Sequence, residues 1–371
     1  MAKTKAPKKV FASAYLFPVA ALYAAFILPW ALLALLWQVP APAGLLSIYG
    51  HAHELIAGYA LLVIAGYLLG RIERNKLFIL LASWAAARVS FLLWPGGWFA
   101  VLTTLVTVAL LGYWIVPRFS KSAKKWRNKS VAPLLTLLFL LVLLVALVPW
   151  HMHTLLTALL IGLCLLMFFM GGRVLAPAIA GHLIRQNITM PHRVQPAIEG
   201  AVIVCLFLAL LAFLLGAAWL AGLLLLFSGG LTTVRMARWQ LWRCTDRPDL
   251  LLLALGYGWL AMGLLTLGLA FMGVGLLTTA VHMVTVGALG TLSVAIMGRT
   301  HLVRRFRDPN ASRWAHMGAL LVSLAAATRV LPVLFAAHNS TSLLLAALLW
   351  WAGFMCVLMM FWHSREVLKA S

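Results

Sequence analysis

The sequence predicts an all-α polytopic membrane protein of about twelve transmembrane helices, and three observations carry that reading. Hydrophobic residues fill 64% of its 371 positions. Its mean hydropathy is +1.02. The apolar residues also fall in runs long enough to cross a hydrocarbon core of about 30 Å, which takes about 20 residues of helix. Such a chain cannot be arranged as a water-soluble globule.

On that ruler the spans lie near 15–38, 51–70, 76–93, 98–117, 131–149, 152–172, 197–215, 217–234, 250–271, 277–297, 314–336 and 342–362. The polar connections between them are short, so residues 1–371 form a single transmembrane domain. The opening "MAKTKAPKKV" is basic, but the apolar run after it is too long for a signal-peptide core and has no clean small-residue cleavage site. It reads as a retained tail leading into the first span. Cys164, Cys205, Cys244 and Cys356 show no CxxC spacing, which argues against a disulfide framework or a cysteine zinc site.

A net charge of +22, from 29 Lys plus Arg against 7 Asp plus Glu, would suggest nucleic acid in a soluble chain. Here it encodes topology. All but two of the basic residues sit in the tail, in alternate loops or after the last span, while loops such as "WPGGW", "VPWHMH" and "AAHNST" carry none. The positive-inside rule then puts both termini in the cytoplasm. No nucleic-acid partner is needed, and the basic face suits anionic membrane lipid.

Taken in order, the spans carry few polar groups, and each is a candidate. Span two opens with "HAHE", His51 to Glu54, at the predicted outer surface. Residues two apart on a helix diverge by about 200°, so only one of His51 and His53 faces a given centre. Span three holds Arg88, one of the two basic residues outside the loops; it is also predicted in the outer half, where an ionisable group marks a functional site or a capped helix end. Span six opens with His151 and His153, and span ten with His282. Spans two, six and ten all run inward and all begin with histidine, so their imidazoles could converge on a metal if the helices are neighbours. Neutral imidazole suits copper, iron and zinc. Interfacial histidines held by water would show the same spacing. Span eleven holds Arg329, the second basic residue outside the loops, and His338 follows it. A haem needs axial imidazole for iron and cations for its propionates, and this inventory supplies both.

Two smaller patterns complete the reading. Each of His53 and His282 is followed at the fifth position by glycine, Gly58 and Gly287, where a flat cofactor or another helix could approach closely. Glu54 has two readings: a carboxylate that hydrogen-bonds and orients a ligating imidazole, or an acid placed favourably at a helix N-terminus.

"HAHELIAGYALLVIAGYLL", "WAAARVSFLL", "KKWRNKSVAPLL", "GGRVLAPAIAGHLIRQN", "LWRCTDRPDLLLLALGYGWLAMGLL" and "AVHMVTVGALGTLSVAIMGR" resemble, in order and spacing, successive signatures of the NnrS family. The resemblance covers nearly the whole chain. It implies a bacterial inner-membrane protein containing haem and copper, linked to nitric oxide through denitrification or defence against nitrosative stress. Residue by residue, His51, His53 and Glu54 stand at the family's HAHE motif, Arg88 at its intramembrane arginine, Gly171, Gly172 and Arg173 at its GGR motif, and His282 at its late histidine. "GGRVLAPAIAG" departs from the aromatic continuation usual after GGR.

The span plan is also similar to the catalytic subunit of haem-copper oxidases, with three four-helix units and metals toward the outer half. The seventh span, "AIEGAVIVCLFLALLAFLL", has no histidine, so the oxidase copper site with paired span-seven histidines is absent in that form. The expectation is therefore an outer-half haem b held by His53 or His51 and His282, with Arg88 and Arg329 near its propionates. Copper would draw on the unused HAHE histidine, His151, His153 and His338. Such a site would bind nitric oxide and, given an as yet unknown electron donor, reduce it, with Glu54 the catalytic candidate for proton delivery. The alternative is a non-catalytic nitric oxide sensor or a haem or copper transfer protein.

Overall fold

A computed structural model describes residues 9–122, 126–334 and 340–366. Their helices, in chain order, are α1 Ser13–Trp37, α2 Gly50–His53, α3 Leu61–Leu68, α4 Arg74–Leu93, α5 Trp98–Ser122, α6 Trp126–Lys129, α7 Val131–Leu147 and α8 Met152–Arg185. They continue with α9 Pro196–Leu214, α10 Ala218–Ala237, α11 Pro248–Phe271, α12 Leu277–His282, α13 Thr291–Phe306, α14 Arg313–Leu334 and α15 Ser340–Glu366. Two π-helical stretches join α2 to α3 and α12 to α13: π1, Glu54–Ala60, and π2, Met283–Gly290.

Eleven helical spans among the described residues are long and apolar enough to cross a membrane, which makes this a multi-pass membrane protein. The twelfth expected span, 131–149, is α7, a shorter apolar helix of 17 residues. That length is at the lower edge of the range of about 17 to 25 residues that spans a bilayer. The span ends follow local chemistry. Proline occupies the first helical position of α9 and α11, where no N–H is needed. Glycines in the left-handed region turn the chain after α4, α9 and α11: Gly96, Gly216, Gly273 and Gly275. The sixth span was expected to stop at 172, yet α8 runs on to Arg185. Pro177 does not break it, and the segment after Gly172 keeps apolar residues such as Leu175, Ile179 and Leu183 buried.

The chain divides into two compact units, 1–156 and 157–371. In the first, α1 packs on α3 and π1, and α5 packs on α4 and α7. The tail joins this unit as a strand, which composition did not predict. Lys9–Phe11 pairs antiparallel with Arg71–Glu73 in the α3–α4 connection, with Lys9 opposite Glu73. Arg71 also lies over the Phe11 ring, 4.8 Å from its centroid, and Arg118 donates to the Leu69 carbonyl. These contacts hold basic residues from the tail, the α3–α4 connection and α5 at one end of the unit, as alternating loop charge requires.

In the second unit α10 packs on α9 and α11, and α14 on α13 and α15. Glycines set the closest approach. A Cβ on Gly222 would stand 2.8 Å from the Gly268 carbonyl, and one on Gly268 would stand 2.7 Å from the Gly222 carbonyl. Small residues facing each other in this way let membrane helices pack backbone to backbone.

Candidate functional site

The polar centre of the first unit is built where α2 passes into π1. The carboxylate of Glu54, the first residue of π1, is fully buried. It accepts from three side chains: His53 through Nδ1 at 2.8 Å, Arg88 of α4 through Nη1 at 2.7 Å, and the Tyr23 hydroxyl of α1. An ionised carboxylate can only accept, so the network assigns the His53 proton to Nδ1. Nε2 then carries the lone pair. His53 is 1% exposed, and its Nε2 has no hydrogen-bond partner among the described residues.

Packing fixes the ring as firmly as the hydrogen bond does. The imidazole stacks on Phe91 of α4, with centroids 3.7 Å apart and planes 21° apart. Trp84, one turn before Arg88, donates its Nε1–H to the Gly58 carbonyl at 3.0 Å and meets the Tyr23 ring edge-on at 5.1 Å. Gly58 is therefore a seat for side chains. A Cβ there would stand 2.6 Å from Tyr23 Cε1 and 3.1 Å from Arg88 Cδ. Neither ring nor guanidinium is free to swing aside, because each is tied to Glu54. Gly58→Ala is accordingly expected to lower stability by about 1–3 kcal/mol, the usual cost of overpacking, measured as an earlier thermal transition of the detergent-solubilised protein.

Electrically the centre closes on itself. The charges of Glu54 and Arg88 cancel, which a site with both groups almost fully buried requires. Arg88 Nε is buried without a hydrogen-bond partner among the described residues, while Nη1 is engaged by Glu54. The arginine expected beside a haem propionate is thus found holding a carboxylate of its own chain.

The other expected site residues are placed as follows. His51 is half-buried, whereas His53 is buried. His151 and His153 are exposed before and at the start of α8, and the His153 ring lies 5.6 Å from that of Tyr49. His338 lies outside the described residues. In the second unit, His282 ends α12 half-buried, with Nδ1 2.6 Å from the Thr278 carbonyl, and Arg329 is half-buried in α14. No group of three His, Cys, Asp or Glu side chains among the described residues is gathered as for a metal ion.

The family model described as NnrS protein matches residues 14–364. The chain belongs to the NnrS family. No curated protein and no solved structure matches it. NnrS membership suggests a membrane protein related to nitric oxide.

Two NnrS motifs gain a physical account here. In HAHE, the second histidine and the glutamate form the buried pair, and Tyr23, Trp84 and Phe91 complete it. Sequence reasoning missed all three because aromatics in apolar runs look like ordinary core. In GGR, the glycines make room for a separate ion pair in the second unit. A Cβ on Gly172 would stand 2.6 Å from Arg235 Nη1, and one on Gly171 would stand 3.1 Å from the Tyr257 ring. Arg235 donates to Glu199 at 3.0 Å and to the Tyr257 hydroxyl at 2.8 Å, with its guanidinium over the rings of Phe168 and Trp239. Arg173, the third residue of the motif, covers the Phe169 ring at 4.4 Å.

Proposed function

We propose that this protein is a haem protein of the bacterial inner membrane, with both termini cytoplasmic, that binds nitric oxide. One observation carries the reading: a buried imidazole whose Nδ1 is fixed by a carboxylate and whose Nε2 lone pair has no hydrogen-bond partner among the described residues. Leaving a buried acceptor unmet costs about 1–3 kcal/mol, and a metal–nitrogen bond is the usual way such a nitrogen is satisfied. A carboxylate hydrogen-bonded to the far nitrogen is a recurring partner of metal-bound histidine. His53 would hold the iron, Glu54 would fix its tautomer and raise its basicity, and Phe91 would set the plane of the ring. His282 is proposed in its own right as a haem-ligating imidazole of the second unit, the unit that also holds Arg329. When bound, haem supplies an iron that coordinates nitric oxide.

Glu54 suits orientation better than proton delivery, because both its oxygens already accept and it has no exposure to water. That favours binding, sensing or carriage of nitric oxide over its reduction, which consumes protons. Copper rests on the NnrS resemblance alone. The purified protein, reduced and exposed to nitric oxide, is expected to show a haem absorption band that shifts on nitrosyl formation, with iron in the metal analysis. Protein that purifies without haem and takes none up would overturn the proposal.

A further inference from the structure

The two π-helical stretches lie in equivalent surroundings. Each begins at the residue after a histidine, His53 or His282, and each holds a glycine at the fifth position after it. Fewer than one residue in a hundred is π-helical in ordinary proteins, so two such stretches with one local pattern are not a chance pairing. In each case an aromatic side chain from the preceding long helix fills the space at the glycine. Tyr23 of α1 does so at Gly58, and a Cβ on Gly287 would stand 2.7 Å from the Trp259 ring of α11. In each case that aromatic also hydrogen-bonds elsewhere within its group, Tyr23 to Glu54 and Trp259 Nε1 to Ser323 of α14 at 2.8 Å. A "GR" pair follows each π stretch further along the chain, Gly70–Arg71 just after α3 and Gly298–Arg299 within α13. The next long helix packs on the π stretch in both cases and carries an arginine, Arg88 in α4 and Arg329 in α14. The start of α8 at His153 has no π stretch, so the pattern belongs to these two places only among the described residues.

The copies differ in one decisive respect. In the first, the residue after the histidine is Glu54, and it neutralises Arg88. In the second that residue is Met283, and Arg329 has neither ion-pair nor hydrogen-bond partner among the described residues. A cation held in a membrane-spanning helix is costly without a counter-charge. We propose that the second copy takes its counter-charge from outside the chain: Arg329 binds the oxyanion of a ligand, a carboxylate or phosphate, in the role that Glu54 plays for Arg88. Guanidinium suits both groups because its forked N–H donors match their paired oxygens. Two sources offer that chemistry, a haem propionate, which rests on the haem reading above, and the phosphate of an anionic lipid, which does not.

Full-length protein separates them. For the lipid, native mass spectrometry with added phosphatidylglycerol or phosphatidylcholine is expected to show one phosphatidylglycerol retained by wild type and lost at least tenfold in Arg329→Gln, with Arg329→Lys intermediate. For the propionate, haem-depleted wild type is expected to bind haem b at least tenfold tighter than its dimethyl ester, a comparison that needs no variant, and Arg329→Gln is expected to abolish the difference. Either result supports the proposal and names the source. Wild type that discriminates neither lipid headgroup nor esterified haem would overturn it, leaving Arg329 a cation that reaches the interface by its own length. If no haem binds at all, the haem reading fails, and the lipid comparison alone decides for or against an anion at Arg329.

Discussion

His53→Ala is expected to strip haem from the purified protein to a tenth or less of the wild-type content, while His51→Ala leaves most of it in place. The two histidines are separated by one residue and look alike in sequence, yet only His53 is buried, stacked on Phe91 and tied through Nδ1 to Glu54. Truncation at 53 removes the sole nitrogen of that ring aimed away from the carboxylate. It leaves the Glu54–Arg88 pair and the Tyr23 contact, so the fold is expected to survive. Pyridine haemochrome quantitation on both variants, alongside thermal denaturation, is the measurement. Equal haem in wild type and His53→Ala would move the ligand elsewhere.

Glu54→Ala is expected to be the most damaging single substitution to stability in the first unit. It leaves the guanidinium of Arg88 in a site 3% exposed with no counter-ion, and breaking one side of a buried ion pair costs about 3–5 kcal/mol. The loss extends further, because Tyr23 and His53 each lose their acceptor. Pairing Glu54→Ala with Arg88→Met removes the stranded charge and is expected to recover much of the loss. Thermal midpoints of the two single variants and the double variant check this. Additive losses would show that Arg88 does not depend on Glu54 for its charge balance.

How much of this was legible in the sequence follows from what each feature costs in a membrane. Apolar runs must be long and unbroken, so the order of the spans could be read, but not every end, since α8 runs on past 172 to Arg185. Loop charge alternates visibly, and the clustering of basic residues at one end of the first unit agrees with it. Spacing could say that His51 and His53 diverge, but not which of them faces inward, since that depends on how α2 meets α4. Arg88 was matched to an external anion because its partner lies 34 positions away in sequence, and composition cannot pair residues across spans. The only available hint was the presence of an acid and a base both inside predicted spans. The strand pairing of the tail left no trace either, because three residues of ordinary composition suffice for it.

The π stretches were invisible for a different reason. A π turn takes in roughly one more residue than an α turn, so it acts as a phase slip in the helix. Each residue of an α-helix turns about 100° from the last, so a slip of one residue rotates everything upstream by about that angle relative to everything downstream. His53 and Tyr67 therefore cannot be read on one helical wheel, and no single periodicity describes the span that contains both. The polar face that begins the span and the lipid-compatible face that ends it are set independently. A chain can thus aim an imidazole at its centre without giving up the side it presents to the bilayer.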